Sequence, residues 1–323
     1  MSRLLIVDGH AYAYRAFHAI RDLRGPEGRP TNAIYGFVKM LEKLRAALAP
    51  AHLIVVWDGG LSAQRVAALP EYKSQRPEMP ADLRPQLDEL VAYLAAAGLA
   101  SYCGDQIEAD DYIACLARHA AAAGWQVVIA SSDKDFMQLV TSQGGSSGAS
   151  GAPVSGPARL PATSGAGTCG SIGLWNPNDK TPVIWTREQV VAKTGVEPGQ
   201  VADWLALMGD AVDNIPGVPG VGPKTAAELL RQFGSVAALY ERLAEVKSEK
   251  LQAALSASAS VVERNLALVR LHEVACEFVP EKLAIQPASR EQLRELFRRW
   301  GFKGLLASLD PAPSAAQAEL MPP

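Results

Sequence analysis

Cysteine is scarce in this chain: Cys103, Cys115, Cys169 and Cys276 are the only four thiols in 323 residues. Their spacing fits neither a zinc motif nor a dense disulfide framework, so reduced and mostly buried thiols in a cytoplasmic protein are expected. Long apolar runs are also missing. The run that follows Met1-Ser2-Arg3 stops at Asp8, too short for the core of a signal peptide, and no later stretch is suited to span a bilayer. No membrane association is expected. Nor is there an excess of one charge. The net charge is −3, so no global basic signature announces a nucleic-acid binder. A local basic surface is still compatible with acids gathered elsewhere.

Apolar residues are plentiful, at 48% of the chain, which allows a sizeable core. The length suggests one larger domain and a smaller one. Three continuous apolar runs, Leu4–Val7, Leu53–Trp57 and Val127–Ala130, read as strands of a parallel sheet covered on both faces. Helical patterns at Asn32–Leu48, Asp82–Ala97 and Ala109–Ala123 separate them and argue for an α/β layered domain. The stretch Ser142–Ser171, made of Gly, Ser, Ala and Pro, is expected to be disordered. An irregular hairpin is expected over Leu174–Trp185, and helices dominate from Thr186 onward. The expected organisation is therefore a catalytic α/β domain at 1–185, a helical region at 186–310 and a loose tail at 311–323.

Each of the three strands ends in acid: Asp8, Asp58, and the pair Asp133 and Asp135. In an open parallel sheet, ligands bind beyond the C-terminal strand ends. A fourth segment, Ile107-Glu108-Ala109-Asp110-Asp111, opens a helix on which Glu108 and Asp111 share a face while Asp110 points elsewhere. Acids in a first helical turn are also good helix starters. A fifth segment places Asp210 and Asp213 three apart. Any one of these acids, taken alone, is better read as a turn or cap residue. Gathered together they are not. Two carboxylates about 4 Å apart repel by roughly 4 kcal/mol at an effective dielectric near 20, so such a pocket calls for cations. All-oxygen ligation suits Mg²⁺ or Mn²⁺, and two such ions serve phosphodiester hydrolysis.

Directly after the fifth segment comes Ile215-Pro216-Gly217-Val218-Pro219-Gly220-Val221-Gly222-Pro223-Lys224-Thr225, between helical patterns at Val201–Met208 and Ala226–Phe233. A helix, glycine-rich turn, helix arrangement can bind phosphate through backbone N–H groups. A plain Gly/Pro connector is an equally good reading of this piece alone. Gly217 to Gly222 mimics P-loop spacing, but Pro223 precedes Lys224-Thr225 and no strand leads in, so an ATPase is rejected. Arg65, Tyr72, Lys73, Arg76 and Arg84 form a basic stretch with one aromatic, suited to a single strand; composition alone favours a solvated loop. Near Asp8, Phe17 is expected in the core, Arg15 near the site, and His18 packed or at the surface.

Six of these pieces, in order, resemble the 5′-nuclease domain found at the N-terminus of bacterial DNA polymerase I, within the flap-endonuclease superfamily. They are Leu5-Ile6-Val7-Asp8-Gly9, Trp57-Asp58, Tyr72 through Pro80, Ile107 through Asp111, Ser132-Asp133-Lys134-Asp135, and Met208 through Ala226. The resemblance implies a PIN-like parallel sheet with flanking helices, plus a helical H3TH DNA-binding region. It implies that Asp8, Asp58, Glu108, Asp110 and Asp111 hold or surround one Mg²⁺, and Asp133, Asp135, Asp210 and Asp213 a second, with Mn²⁺ able to substitute. The segment of about 65–90 becomes a helical arch, in which Tyr72, Lys73 and Arg76 meet the 5′ strand or the scissile phosphate. Arg15, Arg65, Arg84, Gly217, Gly220, Gly222, Lys224 and Thr225 become DNA contacts, with K⁺ at the glycine-rich turn.

The implied reaction is 5′-3′ exonuclease and 5′-flap endonuclease cleavage of DNA in primer removal and repair. DNA polymerase I and ligase become functional partners of a monomeric, nucleoid-associated bacterial protein. It is either a stand-alone nuclease or a fragment of a polymerase. The insert at 142–171 departs from the family, which usually has a short connection there. Two other readings stay open at this stage: a junction-binding module without chemistry, and a PIN-like ribonuclease, which generally lacks the arch and the glycine-rich turn.

Overall fold

The computed structural model describes residues 2–141, 170–179 and 181–309. The expected disordered insert lies outside the described residues up to position 169, as does the expected tail. The insert's last residue, Ser171, already opens a strand. Six strands make one mixed sheet: β1 (Arg3–Asp8), β2 (His52–Trp57), β3 (Ala100–Cys103), β4 (Gln126–Ala130), β5 (Ser171–Trp175) and β6 (Ile184–Trp185), in the order β3-β2-β1-β4-β5-β6. The three continuous apolar runs are β1, β2 and β4. Each is buried along nearly its whole length, as expected for strands covered on both faces.

The described residues fall into two compact units. One comprises residues 7–60, 77–109 and 279–309; the other comprises 2–6, 61–76 and 110–278.

In the first unit, β2 and β3 run parallel, with Ile54 opposite Ala100 and Trp57 opposite Cys103. Helix α1 (Gly9–Ala19) starts where β1 ends, and the Asp8 side chain caps it by accepting from the Ala11 N–H at 3.0 Å. It packs on α2 (Asn32–Leu48), where Gly36 lets the two backbones approach: a Cβ there would stand 2.8 Å from that of Ala16. Thr31, at the α2 N-cap, makes no capping bond with its side chain. Gln86, buried near the start of the later helix Arg84–Ala96, does the work instead. Its Oε1 accepts from the Ala33 and Ile34 N–H groups at 2.8 and 3.3 Å. The helix Arg290–Trp300 packs on this later helix, and Trp300 donates to Glu89 at 2.9 Å.

In the second unit, β4 and β5 are parallel, while β5 and β6 form the expected hairpin, with Leu174 opposite Trp185. Helix α3 (Ala63–Ala68), α4 (Arg84–Ala96, in the first unit) and α5 (Ala109–Ala122) complete the α/β part. Beyond them come α6 (Arg187–Thr194), α7 (Val201–Met208), the two-residue strands β7 (Gly209–Asp210) and β8 (Ile215–Pro216), and α8 (Pro223–Phe233). The helix Ala259–Val269 locks the β7–β8 hairpin in place. Its fully buried Asn265 donates to the Ala206 and Pro216 carbonyls at 3.0 and 2.7 Å.

Candidate metal and nucleic-acid site

In the first unit, Asp8 and Glu108 are buried and Asp58 is half-buried. Asp58 follows β2 directly, and its backbone N–H donates to His10 Nδ1 at 3.0 Å. His10 stands edge-on to Trp57, with ring centroids 5.6 Å apart. Burial pulls its pKa below the ordinary imidazole value, against the opposing pull of the Asp58 charge. His10 was not singled out from the sequence; its position two residues after a strand-end aspartate is the only signal.

The second unit gathers Asp110, Asp133, Asp135, Asp210 and Asp213 with three cations. Asp133 accepts from the Asp135 N–H at 2.9 Å, and Asp210 accepts from the Val212 N–H at 3.0 Å. These are Asx turns. Both the turn role and the cluster role therefore hold, because one carboxylate oxygen closes the turn and the group still faces its acidic neighbours. Burial first, then the charges of Asp133, Asp110, Asp213 and Asp210, push the Asp135 pKa well above the ordinary carboxylate range. Asp133 is raised too, chiefly by burial, with the Asp135 N–H and the Lys73 ammonium pulling the other way. Asp135 Oδ1 is buried and has no hydrogen-bond partner. A buried, unpartnered carboxylate oxygen among carboxylates fits a hard divalent cation with oxygen ligands.

Three cations meet these acids. The Lys73 ammonium lies 3.9 Å from both Asp110 and Asp213, Arg76 bonds Asp213 at 2.7 Å, and Lys134 bonds Asp210 at 2.8 Å. Lys73 has φ of +55°, and its N–H donates to the Asp213 carbonyl at 3.0 Å. Next to it, Asn214 donates to the Glu71 carbonyl at 2.9 Å. The 71–76 turn is thereby fastened to the segment that carries Asp213. Sequence reading did not single out Lys134, although it sits between two predicted ligands.

Four expectations need correction. Asp111, expected to hold or surround a metal ion, already accepts from Arg65 Nη1 and Nη2 at 2.8 Å each and from the His272 N–H at 2.8 Å. Arg65, expected on DNA, is 3% exposed and also donates to the Leu268 and Arg270 carbonyls at 2.9 and 3.0 Å. Its guanidinium is consumed inside the fold. Tyr72 is buried, with the Lys73 ammonium 4.8 Å from its ring centre, so it supports Lys73 rather than facing a strand. Phe17 is half-buried, edge-on to His18, and not in the core. Asp110 needs no such correction: expected to point away from the face of Asp111, it lies 3.9 Å from the Lys73 ammonium, while Asp111 is held by Arg65. Arg15 and Arg84 are at the surface of the first unit.

The glycine-rich turn leaves β8 at Gly217 and enters α8 at Gly222. Val218 and Val221 are buried and anchor it, while Pro219, Gly220, Pro223 and Lys224 are exposed. Gly217 is required by close approach: a Cβ there would stand 2.1 Å from the Met208 carbonyl oxygen. Gly220 is required by its φ of +82°. Thr225 is half-buried in the first turn of α8. A cleft of about 480 Å³, with Glu71, Asp210, Asn214 and Gly217 among its walls, opens between this turn and the 71–76 turn.

Two family models match the chain: the 5′-3′ exonuclease N-terminal resolvase-like domain over residues 3–147, and the 5′-3′ exonuclease C-terminal SAM fold over residues 196–291. The 5′-3′ exonuclease of Aquifex aeolicus is 34% identical over 312 residues, which is 96% of each protein. DNA polymerase I of Pseudomonas aeruginosa is 37% identical over 95% of this chain, and that of Bacillus caldotenax 34% over 98%. The chain spans only 31% and 33% of those two polymerases, about a third of their length. Among solved structures, T5 5′-exonuclease with bound zinc aligns with a TM-score of 0.61 and 26% identity, covering 83% of this chain and 89% of that one. The catalytic core of Rad2, solved with a DNA substrate, shares the fold at a TM-score of 0.62 and 15% identity, over 95% of this chain and 92% of its own.

Proposed function

The chain belongs to the 5′-3′ exonuclease family, and from that premise we propose that it is a metal-dependent, structure-specific DNA nuclease, cutting both as a 5′-3′ exonuclease and at 5′ flaps. The observation that carries this reading is the gathering of Asp110, Asp133, Asp135, Asp210 and Asp213 around Lys73, with the buried Asp135 Oδ1 left without a partner. The T5 5′-exonuclease solved with zinc supports a divalent-ion site. Mg²⁺ is the proposed physiological ion, with Mn²⁺ able to replace it. Bound ions would supply an activated water and stabilise the leaving oxygen of the phosphodiester.

The residues themselves have distinct tasks. Asp133, Asp135, Asp210 and Asp213, with Asp110 beside them, are the proposed ligands of one ion; Asp8, Asp58 and Glu108 are proposed for another. Asp111 leaves the ligand set, because Arg65 and the His272 N–H already occupy it. Lys73 and Arg76 hold positive charge beside Asp213, where the scissile phosphate needs it. The exposed turn 217–225 grips duplex phosphates through backbone N–H groups and Lys224, with K⁺ as its proposed ion. Polymerase I and ligase are proposed as functional partners.

The test is cleavage of 5′-labelled flap DNA with Mg²⁺ or Mn²⁺, which should release products cut near the junction. Flap DNA left intact in both metals would overturn the proposal. Asp58→Ala should abolish cutting while DNA affinity holds. Normal cutting by that variant would remove Asp58 from the metal site.

A further inference from the structure

Away from the carboxylates, α5 and the segment that follows the helix Ala259–Val269 bring together soft ligands that the nuclease reading does not use. Cys115 and His119 lie four residues apart on one face of α5. Cys276 arrives from the 271–278 segment, and the ligand atoms of the three residues all lie within 4.8 Å of one another. Cys115 is buried and Cys276 half-buried. We propose that Cys115, His119 and Cys276 form a binding site for a zinc-class divalent ion, with Glu273 or a water as fourth ligand.

The local chemistry supports the assignment. The Cys115 sulfur lies 3.3 Å from Glu273 Oε2 and 3.4 Å from the Val274 carbonyl. The Cys115 S–H thus faces two oxygen acceptors, with the Cys276 sulfur within hydrogen-bonding reach of the Cys115 sulfur. Two sulfurs, an imidazole nitrogen and a carboxylate suit tetrahedral Zn²⁺, whose bonds of about 2.3 Å to sulfur and 2.0 Å to nitrogen the three ligands reach by drawing together from a spacing of at most 4.8 Å. Burial raises both thiols above their ordinary pKa, that of Cys276 to about 12. Uptake must therefore expel the two thiol protons to solvent, and affinity rises with pH. Arg118 steadies Glu273 through its second oxygen at 3.1 Å.

Such an ion would staple α5 to the segment that holds the buried arginine. His272, four residues before Cys276, donates its N–H to Asp111, and the Leu268 and Arg270 carbonyls accept from Arg65. Binding to the folded chain alone raises its stability by mass action.

The experiment is Co²⁺ titration of the reduced full chain in excess Mg²⁺, which saturates oxygen-ligated sites. One equivalent should give a near-ultraviolet sulfur-to-cobalt charge-transfer band and strong visible bands of tetrahedral geometry, both displaced by Zn²⁺. Cys276→Ser should remove the charge-transfer band or weaken binding by more than the roughly 10–100-fold typical of losing an outer-shell partner. It should also abolish the rise in melting temperature with Zn²⁺, yet keep the wild-type circular dichroism and flap cleavage. His119→Gln should weaken the visible bands while the charge-transfer band persists. Only weak, oxygen-type cobalt absorption, or a band unchanged in Cys276→Ser, would overturn the site. So would a Cys115–Cys276 disulfide whose reduction yields no metal uptake.

Discussion

Replacing Arg65 with alanine separates two accounts of this residue. As a DNA contact, Arg65 would matter to affinity and its salt dependence. The structure instead buries its guanidinium at 3% exposure, with two bonds of 2.8 Å to Asp111 and two more to the Leu268 and Arg270 carbonyls. Arg65→Ala leaves a buried carboxylate with only the His272 N–H for company, and orphans two carbonyls. Breaking a buried pair in this way costs about 3–5 kcal/mol. At about 2–4 °C per kcal/mol for a unit of this size, the melting temperature should fall by roughly 6–20 °C. Arg65→Lys should recover little, since an ammonium cannot repeat the forked contact. The double variant Arg65→Met with Asp111→Leu should melt above either single alanine variant, because no unpaired charge remains. Thermal melts followed by circular dichroism, together with DNA anisotropy across a salt series, decide the matter. A variant that melts within about 1 °C of wild type and loses affinity with a shallower salt slope would refute the buried-pair account.

Asp135→Asn should kill cleavage yet stabilise the metal-free protein. The folded state raises the Asp135 pKa from 3.8, so it binds a proton that the unfolded chain has released, and wild-type stability falls as pH climbs through that window. In EDTA the variant should therefore melt higher at about pH 8, with the gap closing toward about pH 4; a wild type that melts higher at the upper pH would contradict this. Lys224→Ala should lower the salt slope of duplex binding by about one unit, and an unchanged slope takes Lys224 off the phosphates. Gly217→Ala drives a Cβ to 2.1 Å from the Met208 carbonyl oxygen, so a loss of about 1–3 kcal/mol is expected in chemical denaturation; an unaltered midpoint would show that the β7–β8 hairpin is looser than described.

Legibility in the sequence followed the range of each interaction. Helix α2 was readable end to end, because seventeen residues with helical apolar spacing carry their own signal. The strands β1, β2 and β4 were readable as continuous apolar runs. By contrast, β3 is only four residues long and alternates between half-buried and exposed, which no apolar-run search finds. Helix α1 was missed because it opens on Gly-His, and its cap is the same Asp8 that draws attention as a ligand. Long-range pairs were invisible. Nothing in the chain announces that Arg65 meets Asp111, 46 positions on, or that Gln86 caps a helix 53 positions back. Asp111 was therefore assigned with the other acids, although its charge is spent internally. The thiols were passed over for a related reason: Cys276 lies far from Cys115 and His119, so no spacing rule joins them.

The double fastening of the 71–76 turn bears on heredity and on engineering. Asp213 and Asn214 reach back 137 and 143 positions to Arg76 and Glu71. The 71–76 turn and the acid-bearing hairpin thus form one transferable part with its ends widely separated in the gene. Exchanging the loop alone between two nucleases would part the Arg76 guanidinium from the Asp213 carboxylate and the Glu71 carbonyl from the Asn214 amide, the two side-chain bonds that fasten the turn. A chimera that carries both segments keeps the latch. Recombination breakpoints anywhere between them should accordingly be tolerated only when the two parents already agree at both ends.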